Sequence, residues 1–169
     1  TSTYTNYEKG VHSVMSDNIC FPANLIHSHI YELADKVDRI FYPRVVHERT
    51  EDKNAQNSFN CPIIIGYPDV VDSAITVKVP IDSPIVAFKN SKLLREQMLV
   101  YFTTFGIKRN DILKAVDQAE KDWTKWGEEL RRNNVSALEN ARKKKRMTIL
   151  LAGRPYHTDP LVQHRISEM

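Results

Sequence analysis

The chain has two cysteines, Cys20 and Cys61, among its 169 residues. Two thiols cannot make the disulfide framework of a small secreted domain, so a reducing compartment, the cytoplasm, is the expected setting. Long apolar runs are missing too. The longest, residues 62–66 and 149–153, fall far short of a membrane span, and residues 1–20 lack the apolar stretch of a signal peptide. No membrane partner is expected. A strong charge of one sign is also lacking: 24 basic residues face 21 acidic ones, for a net charge of +3. That balance is too mild to imply nucleic acid or an anionic surface. Neither a G-x-G-x-x-G stretch nor a phosphate loop ending in Gly-Lys-Ser/Thr occurs. Internal repeats and low-complexity tracts are absent as well. What remains, 41% hydrophobic and 27% charged, is the composition of an ordinary globular protein. The length suits one domain with a real core, or one domain plus part of another. The chain opens on Thr1 rather than Met and is expected to be part of something longer.

Along the chain, residues 11–15 are at best a short strand. Phe21-Pro22 opens a helix to about residue 36, with Ile26, Ile30, Leu33 and Ala34 on one face. Residues 38–43 read as a strand that ends at proline, and 46–60 as a long polar loop of the functional kind. Cys61 to Gly66 reads as a buried strand, 68–75 as a short helix, and 84–88 as another strand. Residues 91–105 form a helix capped by Asn90 and stopped at Gly106. A long helix follows over about 110–146. Its stripe is Ile112, Val116, Ala119, Trp123, Trp126 and Leu130, and its phase slips at Asn133-Asn134. After the basic run 143–146 come a strand at 147–152, a turn at 153–157, and a last helix from Asp159-Pro160 to the end. The alternation predicts an α/β fold, Rossmann-like (flavodoxin-like), with a parallel sheet and flanking helices. Residues 1–108 would form the α/β lobe and 109–146 one long connecting helix. Residues 147–169 would begin a truncated second lobe, or add a strand and helix to the first.

In such sheets ligands sit at the carboxyl ends of strands. Cys20 falls where a strand would hand over to the helix at residue 22, near a helix N-terminus that favours negative charge. A buried, inert thiol is the bland alternative. Cys61 faces Cys20 if the 46–60 loop stays on the upper rim, and lies at the opposite rim if that loop crosses beneath the sheet. His27 and His29 flank the apolar stripe on opposite sides, so they are read as boundary residues rather than a ligand pair. His47 and His157 lie in polar turns after strands, better places for a site. The turn Gly153-Arg154-Pro155-Tyr156-His157-Thr158-Asp159-Pro160 offers a helix N-terminus and Arg154 to an anion. A thiol nucleophile built from Cys20 and His27 ranks lower, because no Asp or Asn stands nearby to orient the ring. The Trp123/Trp126 pair is read as core or interface.

Four stretches carry a resemblance: N-I-C-F-P-A-N-L-I-H-S-H-I, V-D-R-I-F-Y-P-R-V-V, N-C-P-I-I-I-G-Y-P-D-V-V and T-I-L-L-A-G-R-P-Y-H-T-D-P-L-V. Over roughly residues 16–161 the chain resembles the acyl-CoA dehydratase activase-related family, itself similar to 2-hydroxyacyl-CoA (2-hydroxyglutaryl-CoA) dehydratase subunits. The resemblance implies two Rossmann-like lobes around an oxygen-sensitive 4Fe-4S cluster held by cysteine thiolates, here Cys20 and Cys61. It implies an ATP-dependent activator as partner and an acyl-CoA substrate. One electron, passed on from the activator, would drive dehydration of the thioester in a lyase system of anaerobic type. Arg154 and His157 are the cofactor-binding candidates by position. The activator's nucleotide motifs and a third cluster ligand are missing, so this stretch is not the ATPase. The competing expectation is a cluster-free module that docks an activator or CoA, with a homodimer through the long helix.

Overall fold

The computed structural model describes residues 2–16, 18–50, 52, 54–150, 153–159 and 161–163. Its described residues form five α-helices, four short strands and two 3-10 turns in a mixed α/β arrangement. The chain divides into two compact units, Thr1–Gln97 with Arg154–Met169, and Met98–Gly153. No helix among the described residues is long and apolar enough to cross a membrane.

The first unit is built around a β–α–β element. Strand β1 (Ile40–Phe41) pairs in parallel with β3 (Ile81–Asp82), and β2 (Arg44–His47) with β4 (Ile85–Ala87). Pro43 and Pro84 interrupt what is otherwise one two-stranded ribbon. Across the break, the Tyr42 and Arg44 amides still donate to the carbonyls of Asp82 and Pro84 at 2.8 and 2.9 Å. Proline cannot join a ladder as a donor, which explains the division. The α/β reading with parallel strands stands. The larger Rossmann-like sheet is not found among the described residues.

The crossover helix α3 (Pro62–Ala74) replaces the strand expected at 61–66. Three successive isoleucines fit a buried strand equally well by pattern. Pro62 at the first helical position instead pre-sets the helical φ. Helix α2 (Phe21–Ala34) matches its expected span closely. The two helices meet the ribbon through a core of Ala23, Ile30, Ile40, Tyr67, Val71 and Ile75. Residues Val11–Ser13 are a 3-10 turn rather than a strand. It follows α1 (Tyr4–Gly10), which crosses α2 so tightly at Gly10 that a Cβ there would lie 2.3 Å from the Ser28 amide nitrogen.

The second unit holds the end of α4 (Ser91–Thr103) and α5 (Arg109–Lys143). Gly106, at φ 74°, follows α4 as expected of a stop. Helix α5 runs unbroken through Asn133-Asn134, because asparagine inside a helix costs only tenths of a kcal/mol. Residues 147–150 form no ladder among the described residues and are exposed. Ala152, the end of the strand expected there, and most of the expected last helix lie outside the described residues. The described part of the final turn is a 3-10 turn, Pro155–Thr158.

Candidate functional site

Cys20 and Cys61 occupy the same local position in two different helices. Each is an N-cap with extended backbone, followed by proline within the first two helical residues. The Cys20 carbonyl accepts from Ala23 N–H at 2.9 Å, and the Cys61 carbonyl from Ile65 N–H at 3.2 Å. Ser, Thr, Asp and Asn are the residues that cap helices well; cysteine is not one of them. Neither thiol makes a side-chain cap bond, so neither sulfur is spent on its helix.

Both cysteines line one cavity of about 520 Å³ within the first unit. The reason lies in the loop. The Asn60 amide donates to the Val46 carbonyl at 3.0 Å, and the Glu48 amide to the Ser58 carbonyl at 2.9 Å, so residues 58–60 return alongside the end of β2. Cys61 therefore emerges at the carboxyl end of the ribbon. Asn60, itself buried, secures this through its side chain, donating to the Val45 carbonyl at 3.1 Å and to Glu48 Oε1 at 3.0 Å. Its Oδ1 accepts from Arg154 Nη1 at 3.3 Å.

Arg154 lines the same cavity, brought there by the chain's two ends. Asp159 Oδ2 accepts from the Ser2 amide at 2.9 Å, and Oδ1 from Leu161 N–H at 2.9 Å. Burial alone would raise the Asp159 carboxyl. These hydrogen bonds, with others from the Ser2 side chain and the Val162 backbone, outweigh it and hold the group below its ordinary value. The walls are otherwise largely apolar, with Leu25, Ile26, Ile63 and Ile64 among them. Tyr42 and Tyr67 contribute two phenols. Burial, with Tyr67 close by, pushes Tyr42 up to about 12, so it stays protonated.

The histidines differ from expectation. His27 is not a boundary residue: it is 0% exposed, its Nδ1 2.8 Å from Ser13 Oγ and its Nε2 2.9 Å from the Tyr67 hydroxyl. With both nitrogens engaged it cannot serve Cys20 as a base. His29 does line the cavity, with Nε2 3.2 Å from Ser2 Oγ. His47 and His157 do not. His47 stacks on Phe59 with ring centres 4.0 Å apart, and His157 Nδ1 accepts from the Arg154 backbone N–H at 3.0 Å, closing the turn that carries Arg154. Among the described residues no group of three or more His, Cys, Asp and Glu side chains is gathered for a metal ion. Sequence reasoning missed Tyr42 and Tyr67. Once 62–74 is a helix, Tyr67 follows Ile63 by one turn on the same face, which is the signal that would have found it.

The cavity and its paired cysteines lie within a match that covers the whole chain: residues 1–169 match the family described as CoA enzyme activase uncharacterised domain (DUF2229). The chain belongs to that family. An activator-related role around a CoA-linked enzyme is compatible with this membership. No curated protein and no solved structure matches the chain.

Proposed function

We propose that this chain is the thiol-bearing part of an activase system for a CoA-linked enzyme, and that Cys20 and Cys61 supply two thiolates to a 4Fe-4S cluster. The supporting observation is that both cysteines, their thiols uncommitted to capping, line one cavity at the positive ends of two helices. Thiolate is the donor that iron–sulfur clusters take, and the apolar walls would limit water at the site. The donor set fits part of a cluster shell only. Further ligands would come from outside the described residues.

A bound cluster would supply one-electron transfer. The chain's own residues do the rest. Helices α2 and α3 fix the two sulfurs, and the Asn60–Arg154 contact holds a cation at the cavity for an anionic group of substrate or partner. His157 keeps the Arg154 turn closed. The partners in this reading are an ATP-dependent activator and an acyl-CoA, in a cytoplasm poor in oxygen. Nucleic acid has no part in it. Self-association through α5 belongs to the same reading, because Trp123 and Trp126 are 59% and 52% exposed. Sedimentation of a W123A/W126A variant beside the unsubstituted chain tests it.

The test of the cluster is anaerobic reconstitution with iron, sulfide and an excess of a small thiol, which completes the ligand shell that Cys20 and Cys61 begin. Bound iron and broad visible absorbance are expected, and either Cys20→Ser or Cys61→Ser should abolish them. Absence of bound iron in the unsubstituted chain would reject the reading.

The mostly apolar lining and the small set of thiol ligands favour one other reading, a cluster-free module that takes the acyl-pantetheine end of CoA. A C20S/C61S variant that still binds acyl-CoA by calorimetry would favour it.

A further inference from the structure

The apolar stripe of α5 changes character along its length. Ile112 and Val116 are buried, but Trp123, Trp126 and Leu130 are exposed, and so is every residue from 121 to 140. A helix in water owes most of its stability to the packing of its apolar face, so this stretch calls for a cover. The stripe recurs every 3.5 residues, the period of a two-helix seam. Past Leu130 the same seam positions carry Asn133, Ala137 and Asn140. One half of the seam is bulky and the other is small.

Charge divides at the same point. From 117 to 129 there are five acidic residues and two basic ones; from 131 to 146 there are seven basic and one acidic. A parallel pair of such helices would set bulk on bulk and like charge on like. An antiparallel pair sets each bulky, acidic half on a small, basic half, and opposes the two helix dipoles as well.

We infer that α5 is covered by α5 of a second copy, running antiparallel about a two-fold axis near residues 131–132. The inference rests on the self-association read above and deepens it, by fixing orientation and register; the cysteines play no part in it. In this register Trp126 meets Ala137 of the second copy, Trp123 meets Asn140, and Leu130 meets Asn133. The flanking position puts Asp122 beside Lys143 of the second copy, and the two-fold repeats that pair. Sliding the helices by seven residues one way sets Glu129 against its own copy. Sliding them the other way carries Trp123 past the end of the facing helix, which stops at Lys143.

Sedimentation equilibrium of the full chain at low ionic strength tests it, with circular dichroism to confirm that each variant keeps its helix. The unsubstituted chain should dimerise. D122K and K143D each place two like-charge pairs along the seam and should each weaken dimerisation about tenfold. D122K/K143D exchanges the partners and should restore it. In a parallel pair the flanking neighbour of Asp122 is Gly127, and D122K would change nothing. A dimer indifferent to D122K, or one that the double variant does not recover, overturns the antiparallel register and leaves self-association standing. A monomeric unsubstituted chain overturns both, and none of these results bears on whether the chain binds iron.

Discussion

Cys20 and Cys61, each the N-cap of its own helix, open onto one cavity at the carboxyl end of a two-stranded parallel ribbon. What joins them is not the cysteines themselves but the segments that deliver them. The loop 48–60 is pinned by Asn60, and the chain's two ends are clipped by Asp159 to the Ser2 amide. The predictions below test those supports.

Asn60 satisfies two acceptors with its amide and receives Arg154 on its carbonyl. Asn60→Ala leaves these groups unpaired in a buried place and should cost about 2 kcal/mol. Urea unfolding reads the cost. A loss below about 0.5 kcal/mol would show that the loop is held by its backbone alone.

Gly10 and Gly66 should respond oppositely to alanine. At Gly10 a Cβ would meet Ser28 and His27 backbone at 2.3 to 2.7 Å, so α1 must part from α2 and stability should fall by about 2 kcal/mol or more. At Gly66, within α3, nothing lies within 4 Å, and alanine should stabilise by up to about 1 kcal/mol. Thermal melts of the two variants decide. Equal melting temperatures would contradict the close crossing at Gly10.

His27 sets an acid limit. Its folded value lies below 6.5, chiefly through burial, so between that lowered value and pH 6.5 the unfolded chain binds more protons than the folded one. Its contribution to stability is complete above pH 6.5 and is lost as pH falls through that window. Urea midpoints across the window should slope more steeply for the unsubstituted chain than for His27→Gln. Parallel profiles would mean that the ring is not held neutral.

Tyr42 sets an alkaline limit of opposite sign. Its phenol is raised from 10.0 to about 12, so the folded chain keeps a proton that the unfolded chain gives up. Stability should be lost as pH rises from 10 toward 12, and Tyr42→Phe should remove that part of the loss. Ultraviolet titration of the folded protein should show one phenol fewer ionising late in the variant. Complete tyrosine ionisation near pH 10 in the folded chain would contradict the burial of Tyr42.

Helix α2, the strands at Ile40 and Ile85, the Gly106 stop and the long α5 were all legible in sequence, because apolar period, capping residues and proline mark them locally. Helix α3 was not. Its run Ile63-Ile64-Ile65 satisfies a strand and a buried helix alike, and only the parallel between Cys20-Phe21-Pro22 and Cys61-Pro62 points to a second helix start. The cysteines and Arg154 were singled out by residue type, but whether they line one cavity depended on how the chain returns to β2 before Cys61, which tertiary hydrogen bonds from Asn60 decide. The burial of His27 was hidden for the same reason: its partners Ser13 and Tyr67 lie on other elements, and no spacing within α2 encodes them.

The account stands on two sulfurs acting as a pair. X-ray absorption at the cadmium edge, on the reduced chain with one equivalent of cadmium, measures this directly. The account predicts one ion with two sulfur neighbours, falling to a single sulfur in either Cys20→Ser or Cys61→Ser. One sulfur per cadmium in the unsubstituted chain, with each cysteine binding on its own, would contradict it.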